Sequence, residues 1–301
     1  MDASIIIPTY NRERLLNRCL ECLLDQDYPA RKFEIIIVDD ASTDQTEKVV
    51  RDKRNRGNLI LLQQDKRLGP AAARNRAIPE AEGRIVIFID SDVLVPPGFV
   101  RRHVEAHGNH APIILDGPAI NITREKDVSK PPFGSPLTRL LALLDRGGAT
   151  FITANVSVLR QELRRSGGFD EAFTWAWEDI ELGRRLMNAG LRRVKDPGAY
   201  AFHCKIGRSS LVERAALRKE RAEFGALYFR KHPSPGAARA VRMRYLTIDR
   251  ILEKIGWAEK YFSPSALAGM DKQPWWPPFF KKLCLIHAHA QGLKQGLKPS
   301  R

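Results

Sequence analysis

Ile85-Val86-Ile87-Phe88-Ile89-Asp90-Ser91-Asp92 places five apolar residues directly before two carboxylates spaced two residues apart. The apolar run continues a rhythm that starts at the amino terminus. Ser4–Ile7 reads as a strand, and a helix from about Arg12 follows, with Leu16, Cys19, Leu20 and Leu23 on one stripe. Phe33–Val38 is near-continuously apolar, the pattern of a strand covered on both faces. Ser42-Thr43-Asp44-Gln45 has capping-box spacing and predicts a helix through about Arg54. Leu59–Gln63, a helix around Ala71–Ala77 and Arg84–Ile89 complete the series. This βαβ alternation predicts an α/β chain with a mostly parallel sheet.

In such open sheets ligands sit beyond the carboxyl ends of the strands. Four polar groups fall there: Pro8-Thr9-Tyr10-Asn11, Asp39-Asp40, Gly69 to Arg74, and Asp90-Ser91-Asp92. The last can share one divalent cation, Mn²⁺ or Mg²⁺, whose shell diphosphate oxygens and water complete. Metal-assisted departure of a nucleotide diphosphate is the chemistry this suggests, although a strand-end Asp also serves as a turn cap. Asp39-Asp40 can accept a base N–H or a ribose hydroxyl, or cap the helix that begins near Thr43. Arg74 can meet phosphate or nucleobase near a helix start, or remain a solvated surface residue.

The chain of 301 residues carries 50 Lys and Arg against 35 Asp and Glu, a net charge of +15. At that length about three quarters of the extended surface can be buried without a disulfide staple. With 43% hydrophobic and 28% charged residues, a disordered, collagen-like or low-complexity chain is excluded. No apolar run approaches the roughly 18 residues of a spanning helix. No basic region with a long apolar stretch follows Met1, so a cytoplasmic protein with reduced cysteines is expected. Cys19 and Cys22 have zinc-like spacing but no second pair nearby, and read as small buried hydrophobes. The excess charge is concentrated: residues 206–301 hold 19 Lys and Arg against 7 Asp and Glu, and residues 1–205 hold 31 against 28.

The ordered set Ser4-Ile5-Ile6-Ile7-Pro8-Thr9-Tyr10-Asn11-Arg12, Ile36-Ile37-Val38-Asp39-Asp40-Ala41-Ser42-Thr43-Asp44, Gly69 to Asn75 and Ile89-Asp90-Ser91-Asp92 resembles the nucleotide-binding half of the family 2 glycosyltransferases, which have the Rossmann-like GT-A fold. Ala154-Asn155-Val156-Ser157-Val158, Gly167-Gly168-Phe169-Asp170-Glu171 and Trp177-Glu178-Asp179-Ile180-Glu181-Leu182 look like the family's acceptor-side region. The likeness runs over roughly residues 3–205. It implies a nucleotide-sugar-binding half over 1–120, an acceptor-side half of the same catalytic domain over 121–205, and a basic helical extension over 206–301. By the same resemblance Thr9, Tyr10 and Asp40 contact nucleobase or ribose, with Pro8, Arg12, Asp39, Arg74 and Ser91 also on the substrate side. Asn155 and Trp177 fall among the substrate-binding positions. Asp90 faces ribose or metal, Asp92 is the principal metal ligand, and His203 matches a histidine that reaches metal or diphosphate in some members. The catalytic base matches the Glu178-Asp179 pair, of which Asp179 is favoured. Transfer with inversion needs one carboxylate at the incoming O–H and the leaving diphosphate charge met on the opposite side of the anomeric carbon. Trp175 and Trp177 would desolvate that base; an acidic first turn favoured by the helix dipole is the structural alternative.

The resemblance implies a metal-dependent, inverting transfer from a nucleotide diphosphate-sugar, a UDP-sugar, to a glycan or lipid-linked acceptor in cell-surface polysaccharide or glycolipid assembly. Processive synthases of this kind also carry Q-x-x-R-W and membrane spans, which are absent here, so one or few sugars per encounter are expected. Thr123 to Pro136 has loop composition and the position of a lid over bound donor. Residues 211–231 read as a basic helix, and a second helical stretch follows to about Lys260. Gln273-Pro274-Trp275-Trp276-Pro277-Pro278-Phe279-Phe280-Lys281-Lys282-Leu283-Cys284-Leu285-Ile286 sets aromatics beside lysines, as in an in-plane contact with an anionic membrane surface. Internal packing of those aromatics is the alternative. Nucleic acid would also account for the charge, but no zinc-finger, RNP-like or basic-zipper pattern accompanies it. A nucleotidyltransferase on a related sheet, or a non-catalytic basic binding module, are the competing functions.

Overall fold

The structure is a computed structural model and describes residues 1–108, 112–145, 151–207, 210–272 and 276–298. It divides into two compact units, residues 1–206 and 207–301. In the first, β1 (Ala3–Thr9), β2 (Phe33–Asp39), β3 (Leu59–Gln63) and β4 (Ile85–Phe88) are parallel, joined through α1 (Glu13–Leu24), α2 (Thr46–Arg51) and α3 (Pro70–Ala77). With β6 (Ile113–Asp116), β8 (Val156–Leu159) and β9 (Arg192–Lys195) they form a seven-stranded sheet ordered β3-β2-β1-β4-β8-β6-β9, in which β8 is antiparallel to both neighbours. The chain leaves β1 through β2 and β3, then returns to β4 on the other flank of β1. That reversal opens a crevice at the carboxyl ends of β1 and β4, where an open sheet binds its ligand.

Both faces of the sheet are apolar. Ile5 and Ile7 join Leu16, Cys19, Leu20 and Leu23 of α1 on one side, while Ile6, Ile36 and Val38 join Ala71, Ala73 and Ala77 of α3 on the other. This two-sided burial is why the strands read as unbroken runs. Cys19 is fully buried in the stripe as expected, and all four cysteines are free thiols. The helix predicted from Ser42 starts later. Ser42 Oγ accepts the Asn11 N–H at 2.9 Å, and Asp44 does the capping instead. Its Oδ1 accepts Thr46 N–H at 3.1 Å, and its Oδ2 accepts Glu13 N–H at 3.0 Å, so one carboxylate satisfies the first turns of two helices. α2 ends at Arg51, short of the expected Arg54.

A second sheet, ordered β5-β10-β7, is built from β5 (Val93–Leu94), β7 (Ala119–Ile122) and β10 (Ala201–Cys204). Against β8 of the first sheet, α4 (Phe99–Ala106) and its C-cap carry two buried histidines whose tautomers follow from their partners. The Asn155 amide donates to Pro118 O at 3.0 Å and Ala199 O at 2.7 Å, so its Oδ1 must accept, here from His103 Nε2 at 3.1 Å. His103 Nδ1 then accepts from the Ser157 hydroxyl at 2.8 Å, and Ser157 Oγ accepts from His107 Nε2 at 3.0 Å. Asn155, expected to bind substrate, is thus committed to a buried structural chain and is 1% exposed.

Residues 123–136, expected as a loop, contain α5 (Glu125–Ser129), and this segment is anchored. Glu125 pairs with Arg14 at 2.8 Å, Arg18 donates to Ser129 O at 2.8 Å, and Phe133 stacks on Phe202 at 5.5 Å. α6 (Pro136–Leu144), α7 (Arg160–Arg165) and α8 (Glu178–Asn188) complete the first unit.

The second unit is helical: α9 (Leu211–Lys231), α10 (Pro235–Ala240), α11 (Tyr245–Lys254), α12 (Trp257–Tyr261), α13 (Pro264–Lys272) and α14 (Pro278–Gly296). α9 opens on a capping box formed by Ser210 and Glu213. The single stretch expected to about Lys260 is broken at Arg242 and Gly256, both at positive φ. α14 packs against α9 at close range, since a Cβ on Gly292 would lie 2.0 Å from Lys219 O. Of the aromatic stretch, Trp276 and Phe280 pack within the unit, Phe279 is 62% exposed, and Gln273, Pro274 and Trp275 lie outside the described residues. Among the described residues no helix is long and apolar enough to cross a membrane.

The histidine chain makes the fold acid-sensitive. Burial, then the neighbouring His107, depresses His103 to about 3; burial, then Arg84, depresses His107 to about 4. Both lie below the ordinary value near 6.5, so the unfolded chain takes up protons first and stability falls as pH drops from about 6.5 toward 4. Urea unfolding at pH 7 and pH 5 is expected to show a loss of about 2 kcal/mol or more, and His107→Gln should reduce that difference. An unchanged midpoint would refute the assignment.

Candidate active site

The loop after β4 carries Asp90, Ser91 and Asp92 to the mouth of the crevice. β5 follows at once and pairs antiparallel with β10, with Val93 opposite His203. That register sets His203 Nε2 3.1 Å from Asp92 Oδ1, and the Cys204 N–H donates to Asp92 O at 2.8 Å. Asp90, Asp92 and His203 each offer a ligand atom, all within 4.8 Å of one another. Two carboxylates and an imidazole are a donor set that accommodates a divalent cation. Burial pushes the Asp92 carboxyl up, but the hydrogen bond and charge of His203, with Lys205 and Arg12, outweigh it and hold the group below its usual range. Lys205 Nζ stands 3.9 Å and Arg12 Nη1 3.4 Å from Asp92 Oδ2. Lys205 escaped the sequence reading because a lysine after a strand reads as surface charge; its signal was its place two residues beyond His203.

Arg74 lies on the opposite wall. α3 begins at Gly69, whose φ of 93° suits glycine and where a Cβ would lie 1.9 Å from Thr174 O. Asp40 locks this entry: Oδ1 accepts from Leu68 N–H at 2.7 Å and Gln64 Nε2 at 2.5 Å, and Oδ2 accepts from Gly69 N–H at 2.9 Å. Asp40, expected at the base or ribose, therefore spends its carboxylate on protein groups that shape the loop. One turn on, Arg74 is 2% exposed and bridges two distant acids, donating to Asp90 Oδ1 at 2.9 Å and Glu178 Oε1 at 2.9 Å.

Trp177 turns the chain into α8 with φ 74°, a left-handed conformation that a tryptophan rarely takes. The turn points Glu178 inward to Arg74 and leaves Asp179 half-exposed. The desolvated carboxyl is thus Glu178 rather than Asp179. Burial first, then the Asp179 charge, raise Glu178 to about 7 against the pull of Arg74. The loop of residues 166–169 is pinned from α8 and α3. Arg185 donates to Ser166 O and Gly168 O at 2.6 Å each, and the Asn75 amide pairs with Phe169 N–H and O at 2.8 Å. Neither residue was singled out from sequence, although Glu181 and Arg185 form an i,i+4 pair.

On the nucleotide side Asp39 Oδ1 accepts Ser42 N–H at 3.0 Å, and Arg67 sits over the Tyr10 ring at 4.2 Å. Pro8 pairs in register with Val38, Ser91 is buried, and Thr9 Oγ1 is buried with no partner among the described residues. The strand-end groups Thr9-Tyr10, Asp39, Asp90-Asp92 and, through Arg74, Glu178 therefore border one crevice.

A mostly parallel sheet whose reversal point gathers carboxylates, a histidine and a buried arginine presents a polar crevice at its strand ends. Residues 4–168 match the profile of glycosyl transferase family 2, and the chain belongs to that family. Over 262 residues it is 30% identical to a validoxylamine A glucosyltransferase of Streptomyces hygroscopicus subsp. limoneus, covering 77% of this chain and 57% of that protein. Over 93 residues it is 45% identical to the poly(ribitol-phosphate) beta-N-acetylglucosaminyltransferase TarS of Staphylococcus aureus, covering 31% of this chain and 16% of that one. The chain spans about three fifths of the length of the first of these relatives. Among solved structures, S. aureus TarS 1–349 superposes with a TM-score of 0.56 at 24% identity over 76% of this chain and 65% of that one. The mannosyltransferase PcManGT from Pyrobaculum calidifontis, in complex with GDP-Man and Mn²⁺, has the same fold, with a TM-score of 0.65 at 21% identity over 98% of this chain and 86% of that one.

Removing the bridge tests the wall. Arg74→Met leaves Glu178 buried beside Asp179 without its cation, and the expected loss is about 3–5 kcal/mol at pH 8. Because the folded value of Glu178 is raised above the ordinary carboxylate value, its ionisation costs stability as pH rises through about 7. Denaturant titration should therefore find a smaller loss at pH 5. Equal losses at the two pH values would contradict the pairing.

Proposed function

We propose that the chain transfers a sugar, with inversion, from a nucleotide diphosphate-sugar to an acceptor hydroxyl. The convergence of Asp90, Asp92 and His203 with the Arg74-linked Glu178 on one crevice carries this reading. Thr9, whose buried hydroxyl lacks a partner among the described residues, and Tyr10, braced by Arg67, would receive the base and ribose, with Asp39 beside them. The donor is read as a UDP-sugar, in line with the TarS structure solved with UDP-GlcNAc.

A divalent cation, Mn²⁺ or Mg²⁺, held by Asp90, Asp92 and His203 would neutralise the charge that develops on the departing diphosphate. Lys205 and Arg12 add cationic charge beside Asp92 on the same side. Asp179 is the general base. It is half-exposed and accessible to an acceptor hydroxyl, whereas Glu178 is buried with Oε1 occupied by Arg74. Glu178 would set Arg74, and Arg74 would set Asp90, so the acceptor wall and the cation site share one geometry. The raised value of Glu178 near 7 matches what a base needs, but a carboxyl that an acceptor cannot reach takes no proton from it.

The acceptor is read as a glycan or lipid-linked glycan in cell-surface polysaccharide or glycolipid assembly. Two similar proteins are named for adding N-acetylglucosamine or glucose to poly(ribitol-phosphate), which supports a polymeric acceptor. The basic extension, residues 206–301, would bring the protein to the cytoplasmic face of an anionic membrane.

Incubation with UDP-sugars and Mn²⁺ should release UDP; pyrophosphate release would point to nucleotidyl transfer instead. Asp92→Asn should abolish the Mn²⁺ dependence of nucleotide binding by calorimetry. Asp179→Asn should lower turnover by about 10²-fold or more while leaving donor affinity nearly intact. If Glu178→Gln alone produces that pattern and Asp179→Asn does not, the base is Glu178.

A further inference from the structure

A cavity of about 390 Å³ lies in the second unit at the first turn of α14, lined by Arg214, Trp276, Pro278, Lys281, Lys282 and Leu285. Its lining divides by chemistry into an apolar side of indole, proline and leucine and a side of three cations. Two cations of this unit are paired with acids: Lys294 lies 2.8 Å from both Asp249 and Glu253, and His287 lies 2.6 Å from Asp249. Arg214, Lys281 and Lys282 have no carboxylate partner among the described residues. The charge around them is also crowded. Arg214, Arg218 and Arg221 follow one another at helical spacing on α9. Burial, then the charges of Arg242, Arg214 and Arg221, push the Arg218 guanidinium below its usual range. An anion is the ligand whose charge complements the three cations that line the cavity. The apolar wall is held in place by its own contacts: Trp276 meets Tyr261 at 6.2 Å and Phe280 at 5.2 Å, and Phe280 stacks on Trp257 at 5.2 Å. Phe279, beside this wall in sequence, is 62% exposed.

We propose that this cavity binds the phosphate group of a membrane lipid, its three cations taking the phosphate oxygens and Trp276, Pro278 and Leu285 the apolar atoms that adjoin them. Cation-assisted hydrogen bonds to phosphate are strong, and basic side chains near an anionic surface add to one another. A nucleic acid would call for a basic track with rings free to stack on bases, whereas the rings here pack on each other and the three cations line one open cavity. The site gives a location to the membrane contact proposed above and does not depend on the transfer reaction.

The test uses the full chain and phosphatidylcholine vesicles with and without phosphatidylglycerol, by co-sedimentation at about 0.1 M salt. The unaltered protein should bind the anionic vesicles and not the neutral ones. Arg214→Gln/Lys281→Gln/Lys282→Gln should weaken that binding by about 100-fold, near fivefold for each cation. Arg239→Gln/Arg250→Gln/Lys254→Gln removes the same charge from exposed positions outside the cavity and should stay within about threefold. Lys282→Gln alone, at an exposed position, should lose about fivefold and serves if the triple variant melts early. UDP-sugar binding should be unchanged in every variant, which separates failure of this site from failure of the catalytic reading. Equal losses in the two triple variants would reduce the effect to bulk charge and overturn the site. Binding of inorganic phosphate without vesicle binding, or of a single-stranded oligonucleotide in place of vesicles, would overturn the lipid assignment.

Discussion

The first unit is organised around the guanidinium of Arg74. Two acids more than eighty residues apart in sequence, Asp90 and Glu178, each accept from it at 2.9 Å; Arg74 and Glu178 are buried, and Asp90 is half-buried at the mouth of the crevice. Buried charges are tolerable only when paired and hydrogen-bonded, so Arg74 fixes where the loop after β4 and the start of α8 can lie. Asp40 then fixes Arg74, since its carboxylate closes the loop from which α3 starts. The strained turn at Trp177 follows from the same demand: it brings one carboxylate inward and leaves its neighbour outward.

Strands and crevice were legible because their causes are local. Two-sided burial leaves unbroken apolar runs, and the polar residue that ends each run marks the mouth of an open sheet. Asp90 and Asp92 were identifiable for that reason, whereas His203 came only from the family resemblance; their mutual placement follows from the pairing of β5 with β10. Capping was less legible. Ser42, Thr43 and Asp44 all carry an oxygen suited to the task, and the choice of Asp44 is made by the orphan N–H of Glu13 on another helix.

Two expectations about side-chain surroundings, the exposure of Asn155 and the desolvation of Asp179, differ from the structure for a shared reason. A motif position does not say which way its side chain points. Asn155 carries an amide that a substrate or a backbone carbonyl could satisfy, and two carbonyls from Pro118 and Ala199 claim it. Glu178 and Asp179 are adjacent on a helix, and the roughly 100° between successive residues sends one to the interior and the other toward solvent. The tryptophans flanking them suggested a desolvated base; burial fell on the carboxyl that Arg74 holds. In the second unit the aromatic stretch likewise divides, with Trp276 and Phe280 packed inward and Phe279 outward.

The pairing of β5 with β10 also bears on when the site comes into being. Asp90 and Asp92 leave the ribosome more than a hundred residues before His203, and the seven-stranded sheet has all its strands once Lys195 is made. A nascent chain halted there would possess the whole scaffold and both acids, yet lack the imidazole and the lysine that follows it. The proposed cation site is therefore completed only by the final few residues of this unit.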